Sequence, residues 1–192
     1  MELYAVGGMQ FVRQVASLKK QVFLDLKLYD IGETVKRATR EICKSEGITF
    51  LTVHGSRAVM QAAAEGRGSS STKLLAVTVL TSFDEDDLVD LGYPVPSSTL
   101  VDLRVRKAVE SGMDGIVCSA LDVARVRQIG GVELQLVIPG VRSADAEKGD
   151  QKRVATPEDA IRDGANYLVI GRQVTRAAYP RAECEKILQE IA

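Results

Sequence analysis

An aspartate and a lysine stand two positions apart in an alternating segment, and a second aspartate follows soon after. The segment from Val22 to Leu28 alternates apolar residues with Phe23, Asp25 and Lys27, and Asp30 lies just past its end. Side chains two apart on a β-strand point to the same side, so we expect Asp25 and Lys27 to project together. An acid and a base held together in this way indicate acid–base chemistry. The alternative is an ordinary solvent-facing ion pair on an amphipathic strand.

The setting of this strand favours the chemical interpretation. A helix follows the strand, and the chain repeats this alternation to its end, which indicates a parallel sheet with its site at the carboxyl ends of the strands. The alternation suits a (β/α)8 barrel that lacks two strands, or a doubly wound sheet. We predict six strands, over 22–28, 48–54, 74–80, 115–119, 134–138 and 167–170, and helices over 8–19, 33–46, 57–64, 84–91, 98–111, 122–129, 157–163 and 181–191.

Two segments in the second half of the chain could bind a phosphate. An apolar strand runs into Gly171 and Arg172, which lets backbone amides and a guanidinium approach an anion closely. The preceding strand leads to Arg142, and Gln151 and Arg153 lie in the polar loop over 141–154, which is long enough to act as a lid. The alternatives are a turn glycine with a surface arginine, and a loop that is simply solvated.

Other polar residues also follow predicted strands. Thr81 and Ser82 place hydroxyls where the rim of a barrel's active site would lie, although Ser82 is better explained as the cap of the helix that begins at Asp84. His54 is the only histidine and ends a strand. A lone histidine without an identified partner is more often structural, so we assign it no catalytic role. Thr156 is expected to cap the helix over 157–163.

Length and composition favour one domain over residues 1–192 that acts on a small molecule. Lys and Arg, 25 together, nearly balance Asp and Glu, 26 together, which argues against a nucleic-acid binder. Cys43, Cys118 and Cys184 are far apart and odd in number, so neither disulfides nor a zinc site is predicted and a reduced cytoplasm fits best. No segment has the length of a membrane span or the character of a signal peptide.

Four motifs together resemble the orotidine 5′-phosphate decarboxylase family. Asp25-Leu-Lys27-Leu-Tyr-Asp30-Ile31, with Thr34 after it, resembles the family signature. Val137–Arg142, Gly149–Val154 and Ile170–Arg172 recur in the same order as in that family. The first motif is shared with sugar-phosphate decarboxylases and synthases of the same suprafamily, whereas the last three together are specific to the orotidylate enzyme. The resemblance covers essentially the whole chain.

The resemblance implies decarboxylation of orotidine 5′-monophosphate to uridine 5′-monophosphate (UMP) in de novo pyrimidine biosynthesis, with no metal or organic cofactor. It implies a (β/α)8 barrel that dimerises with its active sites at the interface. Lys27 would protonate C6 as a buried ammonium between carboxylates, Asp25 would lie beside the departing carboxylate, and Asp30 would enter the partner subunit's site. The residues implied to bind substrate are Ile31 and Thr34 along the nucleotide, Thr81 at the pyrimidine, and Arg142, Gln151, Gly171 and Arg172 around the phosphate.

The chain departs from the family pattern at its front and at two motif positions. Family members begin with a strand that carries an aspartate and a second strand that carries a lysine, and we find neither. We therefore predict a TIM (β/α)8-type barrel that lacks its first two strands and covers its open edges by self-association or by reclosing the sheet. Gly32-Glu33 stands where the family usually has Pro-Asn, and Gln173 stands where it usually has Pro.

These departures keep two alternative functions open. Glu33 resembles the sugar-phosphate branch, whose members use a metal, so one alternative is a magnesium-dependent ketose-phosphate decarboxylase or aldolase. The missing acid and lysine motivate the other, a noncatalytic remnant with residual nucleotide binding. A chelator separates the first alternative from the orotidylate reaction, and UMP titration beside a turnover assay separates the second.

Overall fold

The structure, a computed structural model, describes residues 2–144 and 155–192, which form six strands alternating with helices. The strands follow one another in the sheet in chain order, and the pairs β1–β2, β2–β3 and β5–β6 are parallel. The strands are β1 (Val22–Leu28), β2 (Ile48–His54), β3 (Lys73–Val77), β4 (Gly115–Val117), β5 (Gln135–Pro139) and β6 (Tyr167–Val169). The helices are α1 (Glu2–Ser17), α2 (Gly32–Cys43), α3 (Arg57–Arg67), α4 (Glu85–Asp90), α5 (Ser97–Glu110), α6 (Val123–Gly130), α7 (Pro157–Arg162), α8 (Arg172–Thr175) and α9 (Pro180–Glu190), with a 3₁₀ turn over Ala120–Asp122.

The observed elements confirm the predicted order and differ from it at several ends. β1 and β2 have the predicted bounds, whereas β3 ends three residues early, at Val77. Thr78 instead directs both its amide and its hydroxyl to the carbonyl of Val117. Helix α1 begins at Glu2 and contains a kink at Gly8, the residue from which we predicted the helix to start. The short helix α8 was not predicted.

The helix caps confirm one prediction and correct another. The Thr156 hydroxyl accepts a hydrogen bond from the amide of Asp159 at 3.1 Å and caps α7, as predicted. Helix α4 is capped by Asp84 and not by Ser82, because the side chains of Asp84 and Asp87 each accept a hydrogen bond from the other's amide. A carboxylate at this position also interacts favourably with the helix dipole, which a serine hydroxyl does only weakly.

One compact unit consists of Met1–Val77 and Arg106–Gly115. Its core contains the fully buried side chains of Leu51, Met60, Leu74 and Leu75. Helices α2 and α3 approach closely at Gly66, where a Cβ would lie 2.4 Å from the carbonyl oxygen of Lys36. The helices therefore cover the strands of this unit at a separation that glycine permits.

The other compact unit consists of Thr78–Val105 and Ile116–Ala192. In this unit, side-chain hydrogen bonds join β5 and β6 in addition to the backbone bonds between the two strands. Asn166 accepts a hydrogen bond from the amide of Leu136 through its Oδ1 at 2.8 Å and donates its own amide to the Leu136 carbonyl at 2.9 Å. Arg127 donates to the same Oδ1 and to the carbonyl of Gly164, and burial lowers the pKa of this guanidinium. These bonds fix the strands that precede Arg142 and Arg172.

No helix within 2–144 or 155–192 combines the length and the apolar composition that crossing a membrane requires. The single domain predicted over residues 1–192 stays a prediction.

Candidate active site

The structure brings Asp25 and Lys27 together. The Lys27 Nζ lies 2.5 Å from the Asp25 Oδ2, and the two form a salt bridge. Among the described residues, Asp25 is the carboxylate that pairs with Lys27. The side chains of Lys27 and Asp25 are 34% and 36% exposed, so the expectation of a buried ammonium pressed between several carboxylates is wrong for this structure. The pair is open to a molecule approaching from solvent.

The two side chains meet through a bulge, not through the regular alternation that we predicted. Between the aligned pairs Leu24↔Leu51 and Leu28↔Val53, β1 advances four residues while β2 advances two. Lys27 lies within this bulge and has a φ of 52°, in the left-handed region that side chains rarely adopt. Such a conformation costs about 1–2 kcal/mol at a non-glycine residue, so the surrounding structure must hold it. Strain of this kind clusters at functional sites.

The hydroxyl of Thr52 holds the bulge. It accepts a hydrogen bond from the Lys27 amide at 2.9 Å and donates one to the Asp25 Oδ1 at 2.8 Å. Thr52 is fully buried, in the middle of β2. We did not identify this residue from the sequence. The available signal was a threonine within the apolar run over 50–53, because a buried hydroxyl needs a polar partner.

Two pairs of aromatic rings lie on, or just after, the strands that carry the Asp25–Lys27 pair and Thr52. The rings of Phe23 and Phe50 meet edge to face with centroids 6.2 Å apart. Beyond the end of β1, the Tyr29 ring stacks on His54 at 4.1 Å. These contacts add aromatic surface to the strands that carry the charged pair and Thr52.

The next three predicted residues lie directly after β1 and are exposed. The Asp30 Oδ1 accepts a hydrogen bond from the amide of Ile31 at 2.7 Å. Ile31 precedes α2 as its N-cap with its side chain 73% exposed, and Thr34 lies in the first turn of that helix. Asp30 and Ile31 therefore stand at the carboxyl end of β1 with their side chains available to a ligand or a partner chain.

In the other unit, the predicted phosphate residues also follow strands. Gly140, with a φ of 74°, turns the chain after β5, and the Arg142 amide then bonds the Ala155 carbonyl at 3.2 Å. Gly171 and Arg172 follow β6, where Gly171 is the N-cap of α8 and Arg172 its first residue. Thr81 lies in the turn after β3 and is half-buried. All of these residues follow the carboxyl ends of their strands, as predicted.

Gln173 joins the segments that carry Arg142 and Arg172. Its Oε1 accepts a hydrogen bond from the Ser143 amide at 3.1 Å, and its Nε2 donates to the Ser143 Oγ at 2.7 Å and to the Glu183 Oε1 at 2.7 Å. Ser143 is buried. From the sequence, Gln173 was only a departure from the family pattern, and we predicted no role for it.

Gln151, Arg153 and most of the predicted lid lie outside the described residues. Among 2–144 and 155–192, no three His, Cys, Asp or Glu side chains cluster in a way that could hold a metal ion.

Comparison with known proteins adds independent similarities. The model of the "Orotidine 5'-phosphate decarboxylase / HUMPS family" matches residues 1–187. A Rhodopseudomonas palustris (strain BisA53) protein named orotidine 5'-phosphate decarboxylase is 50% identical over 190 residues, which are 99% of this chain and 80% of the relative. An uncharacterized conserved protein from Geobacillus kaustophilus has a TM-score of 0.84 at 35% identity, covering 100% of this chain and 86% of that one. Orotidine 5'-phosphate decarboxylase from Lactobacillus acidophilus has a TM-score of 0.80 at 33% identity, covering 94% and 79%. These structures confirm the predicted TIM-barrel type of fold.

Proposed function

Because the chain belongs to the orotidine 5'-phosphate decarboxylase / HUMPS family, we propose that it decarboxylates orotidine 5′-monophosphate to UMP in de novo pyrimidine biosynthesis, with Lys27 as the proton donor. The observation that carries the proposal is the Lys27–Asp25 contact of 2.5 Å in a strained bulge at the end of β1. Charged groups that are about one-third exposed and held in one geometry can act on a bound substrate without first being rearranged.

The proposed step balances with the groups of this pair. The bond between C6 and the carboxylate breaks, carbon dioxide leaves, and the electron pair stays on C6. The Lys27 ammonium stabilises this developing negative charge and donates a proton to C6, after which water restores the ammonium. Asp25, held against Lys27, would face the departing carboxylate, so like-charge repulsion is relieved as carbon dioxide forms.

We propose that Arg142, Gln151, Gly171 and Arg172 bind the phosphate. Two arginines and a glycine after parallel strands offer charge and an accessible backbone amide. The phosphate is remote from the bond that breaks, but its binding energy can hold the pyrimidine where the charged pair acts. In the same proposal Ile31 and Thr34 line the nucleotide and Thr81 contacts the pyrimidine.

We also propose a cytoplasmic homodimer in which Asp30 reaches the partner's site. Asp30 and the 73% exposed Ile31 project from the end of β1, and β1 is the first strand in the sheet order. Unpaired strand edges favour association with another chain. The three free cysteines support a reducing compartment.

The test is an absorbance assay for loss of orotidylate, with Lys27→Ala compared with Lys36→Ala. Both lysines are about one-third exposed and pair with a carboxylate, at 2.5 Å to Asp25 and 2.8 Å to Glu65, so the second is a matched control. We expect Lys27→Ala to lower kcat at least about 1000-fold, since it removes both the proton donor and the charge, and Lys36→Ala to leave kcat unchanged.

Other outcomes separate the alternatives. Turnover that persists in Lys27→Ala would contradict the proton-donor role. Turnover lost on adding a chelator would favour the magnesium-dependent alternative. UMP binding without any turnover in the wild-type chain would support the noncatalytic remnant.

A further inference from the structure

We propose that Thr52 is a positioning residue, one that acts through Lys27 and Asp25 and not on the substrate itself. The inference rests on the proposed function, in which those two residues perform the proton transfer. Thr52 holds the pair from the neighbouring strand with a single hydroxyl. Its role would be to fix where the ammonium stands before substrate arrives.

The bulge creates the need for such a residue. The register shift between Leu24 and Leu28 takes the Lys27 amide out of the regular ladder between β1 and β2. A buried amide without a partner is costly, and the Thr52 oxygen supplies the missing acceptor at 2.9 Å. The left-handed backbone of Lys27 is thereby tied to a residue that cannot move easily.

The same hydroxyl also orients the carboxylate. A threonine hydroxyl has one donor and two acceptor lone pairs, so it can accept from the Lys27 amide and still donate to the Asp25 Oδ1 at 2.8 Å. With Oδ1 fixed in this way, Oδ2 faces the Lys27 Nζ at 2.5 Å. The bonds close a ring that runs from the Lys27 amide through Thr52 and Asp25 back to the Lys27 ammonium.

Packing and strand pairing hold Thr52 in place. It is fully buried, and it is aligned with Leu75 in the ladder between β2 and β3. Its β-branched side chain has restricted rotation about χ1. The flexible lysine is thus bonded to a fully buried residue of a paired strand, which is the arrangement that a preorganised catalytic group requires.

The experiment compares Thr52→Val and Thr52→Ser with Thr39→Val. Valine has nearly the shape of threonine without the hydroxyl, and serine keeps the hydroxyl without the methyl. Thr39 is the matched control, because it is also fully buried in the same unit and its hydroxyl has no hydrogen-bond partner among the described residues. Turnover of orotidine 5′-monophosphate, UMP affinity and the thermal midpoint are measured for each variant.

We expect Thr52→Val to lower kcat about 30- to 100-fold with KM and UMP affinity within about threefold of wild type, because misplacing a reacting group costs rate and not binding. Thr52→Ser should recover kcat to within about threefold, and Thr39→Val should leave it unchanged. A purely structural role would lower the thermal midpoint without this split between kcat and KM.

Two results would refute the role of Thr52 and leave the proposed function intact. One is a wild-type kcat in Thr52→Val, and the other is a kcat in Thr52→Ser as low as that in Thr52→Val. If Thr52→Val does not fold, Thr52→Ala against Thr52→Ser makes the same test, since both lack the methyl and only one keeps the hydroxyl; equal kcat values would refute the role. A wild-type chain without turnover would instead refute the proposed function, and the inference with it.

Discussion

The backbone conformation of Lys27 lowers stability but places the side chain beside Asp25. Its φ of 52° is unfavourable for any residue with a Cβ and free for glycine. The salt bridge with Asp25 offsets little of that cost, because a pair about one-third exposed is screened by solvent. The bonds from Thr52 are the stronger restraint. The proposed role of Lys27 therefore depends on structure supplied by the neighbouring strand.

A pair of substitutions measures this strain. Both Lys27→Gly and Lys27→Ala abolish the side-chain contacts, but only glycine relieves the left-handed backbone. We expect the free energy of unfolding of Lys27→Gly to exceed that of Lys27→Ala by about 0.5–1 kcal/mol, which is the strain of about 1–2 kcal/mol less the extra unfolded-chain entropy of glycine. Denaturant titration gives the difference.

The control for that comparison is Lys36, in the interior of α2. There glycine should be less stable than alanine by about 1 kcal/mol, the ordinary helix preference. The same order at both positions would show that Lys27 carries no backbone strain.

For these residues, the sequence predicted which side chains meet better than it predicted the backbone geometry that brings them together. The spacing of Asp25 and Lys27 was enough to predict that the two side chains meet. Thr52 could have been noted as a hydroxyl within an apolar run, but its partners could not be predicted, because its bonds exist only once the bulge brings the Lys27 amide opposite a hydroxyl 25 positions along the chain. Asp30 and Ile31 were predicted to follow the strand, and they do.

Among the elements, the junction of α8 with the segment after β5 has a single side chain at its centre. Gln173 makes three hydrogen bonds, two to Ser143 and one to Glu183. Arg142 and Arg172 are the immediate neighbours of Ser143 and Gln173 in the chain. The glutamine thereby sets the spacing of the two segments that carry the proposed phosphate ligands.

Gln173→Ala should loosen this junction. We expect KM for orotidine 5′-monophosphate to rise about tenfold, because ordering two arginine segments on binding costs side-chain and backbone entropy that the wild type has already lost. Steady-state kinetics give the value, and Gln128→Ala, at an exposed position of α6, is the control. An unchanged KM would indicate that the phosphate-binding residues lie elsewhere.

The close approach of α2 and α3 gives a second prediction among the elements. An alanine Cβ at position 66 would lie 2.4 Å from the Lys36 carbonyl oxygen and 3.0 Å from the Thr39 Cβ, so the helices must separate. We expect Gly66→Ala to lower the free energy of unfolding by about 1–3 kcal/mol, the usual cost of overpacking. Gly32→Ala is the control, since its Cβ would meet Ala62 at an ordinary 3.6 Å; equal stabilities of the two variants would contradict the packing.

Element order followed from the alternation of apolar and helical patterns, and this is why six strands were found in their places. Their ends were harder. β3 stops at Val77 although the apolar run continues to Leu80, because the chain bends at Val79 and turns at Thr81 and Ser82. Helix α8 is four residues long and carries no periodic pattern, so no sequence signal distinguishes it from a turn.

On the scale of the whole molecule, the strands followed from their pattern, whereas in the proposed dimer each active site would need a group from the other chain. We propose that Asp30 serves the partner's site, so that one active site needs two chains. Isologous dimers have two equivalent sites, and each would take Lys27 from one subunit and Asp30 from the other. The contribution of both subunits to one site can be measured by activity assays.

Mixing two inactive variants tests whether each site takes Lys27 from one subunit and Asp30 from the other. In a heterodimer of Lys27→Ala and Asp30→Ala, one site receives both substitutions and the other receives neither. Random exchange of subunits makes half of the dimers mixed, so about one quarter of the wild-type activity should return. If Asp30 acts within its own subunit, every site keeps one defect and no activity returns.

Mixing Lys27→Ala with Asp25→Ala is the control. These two residues lie 2.5 Å apart in one chain, so neither site of the mixed dimer is intact. Activity restored in this mixture would mean that Lys27 and Asp25 can also reach one site from different chains.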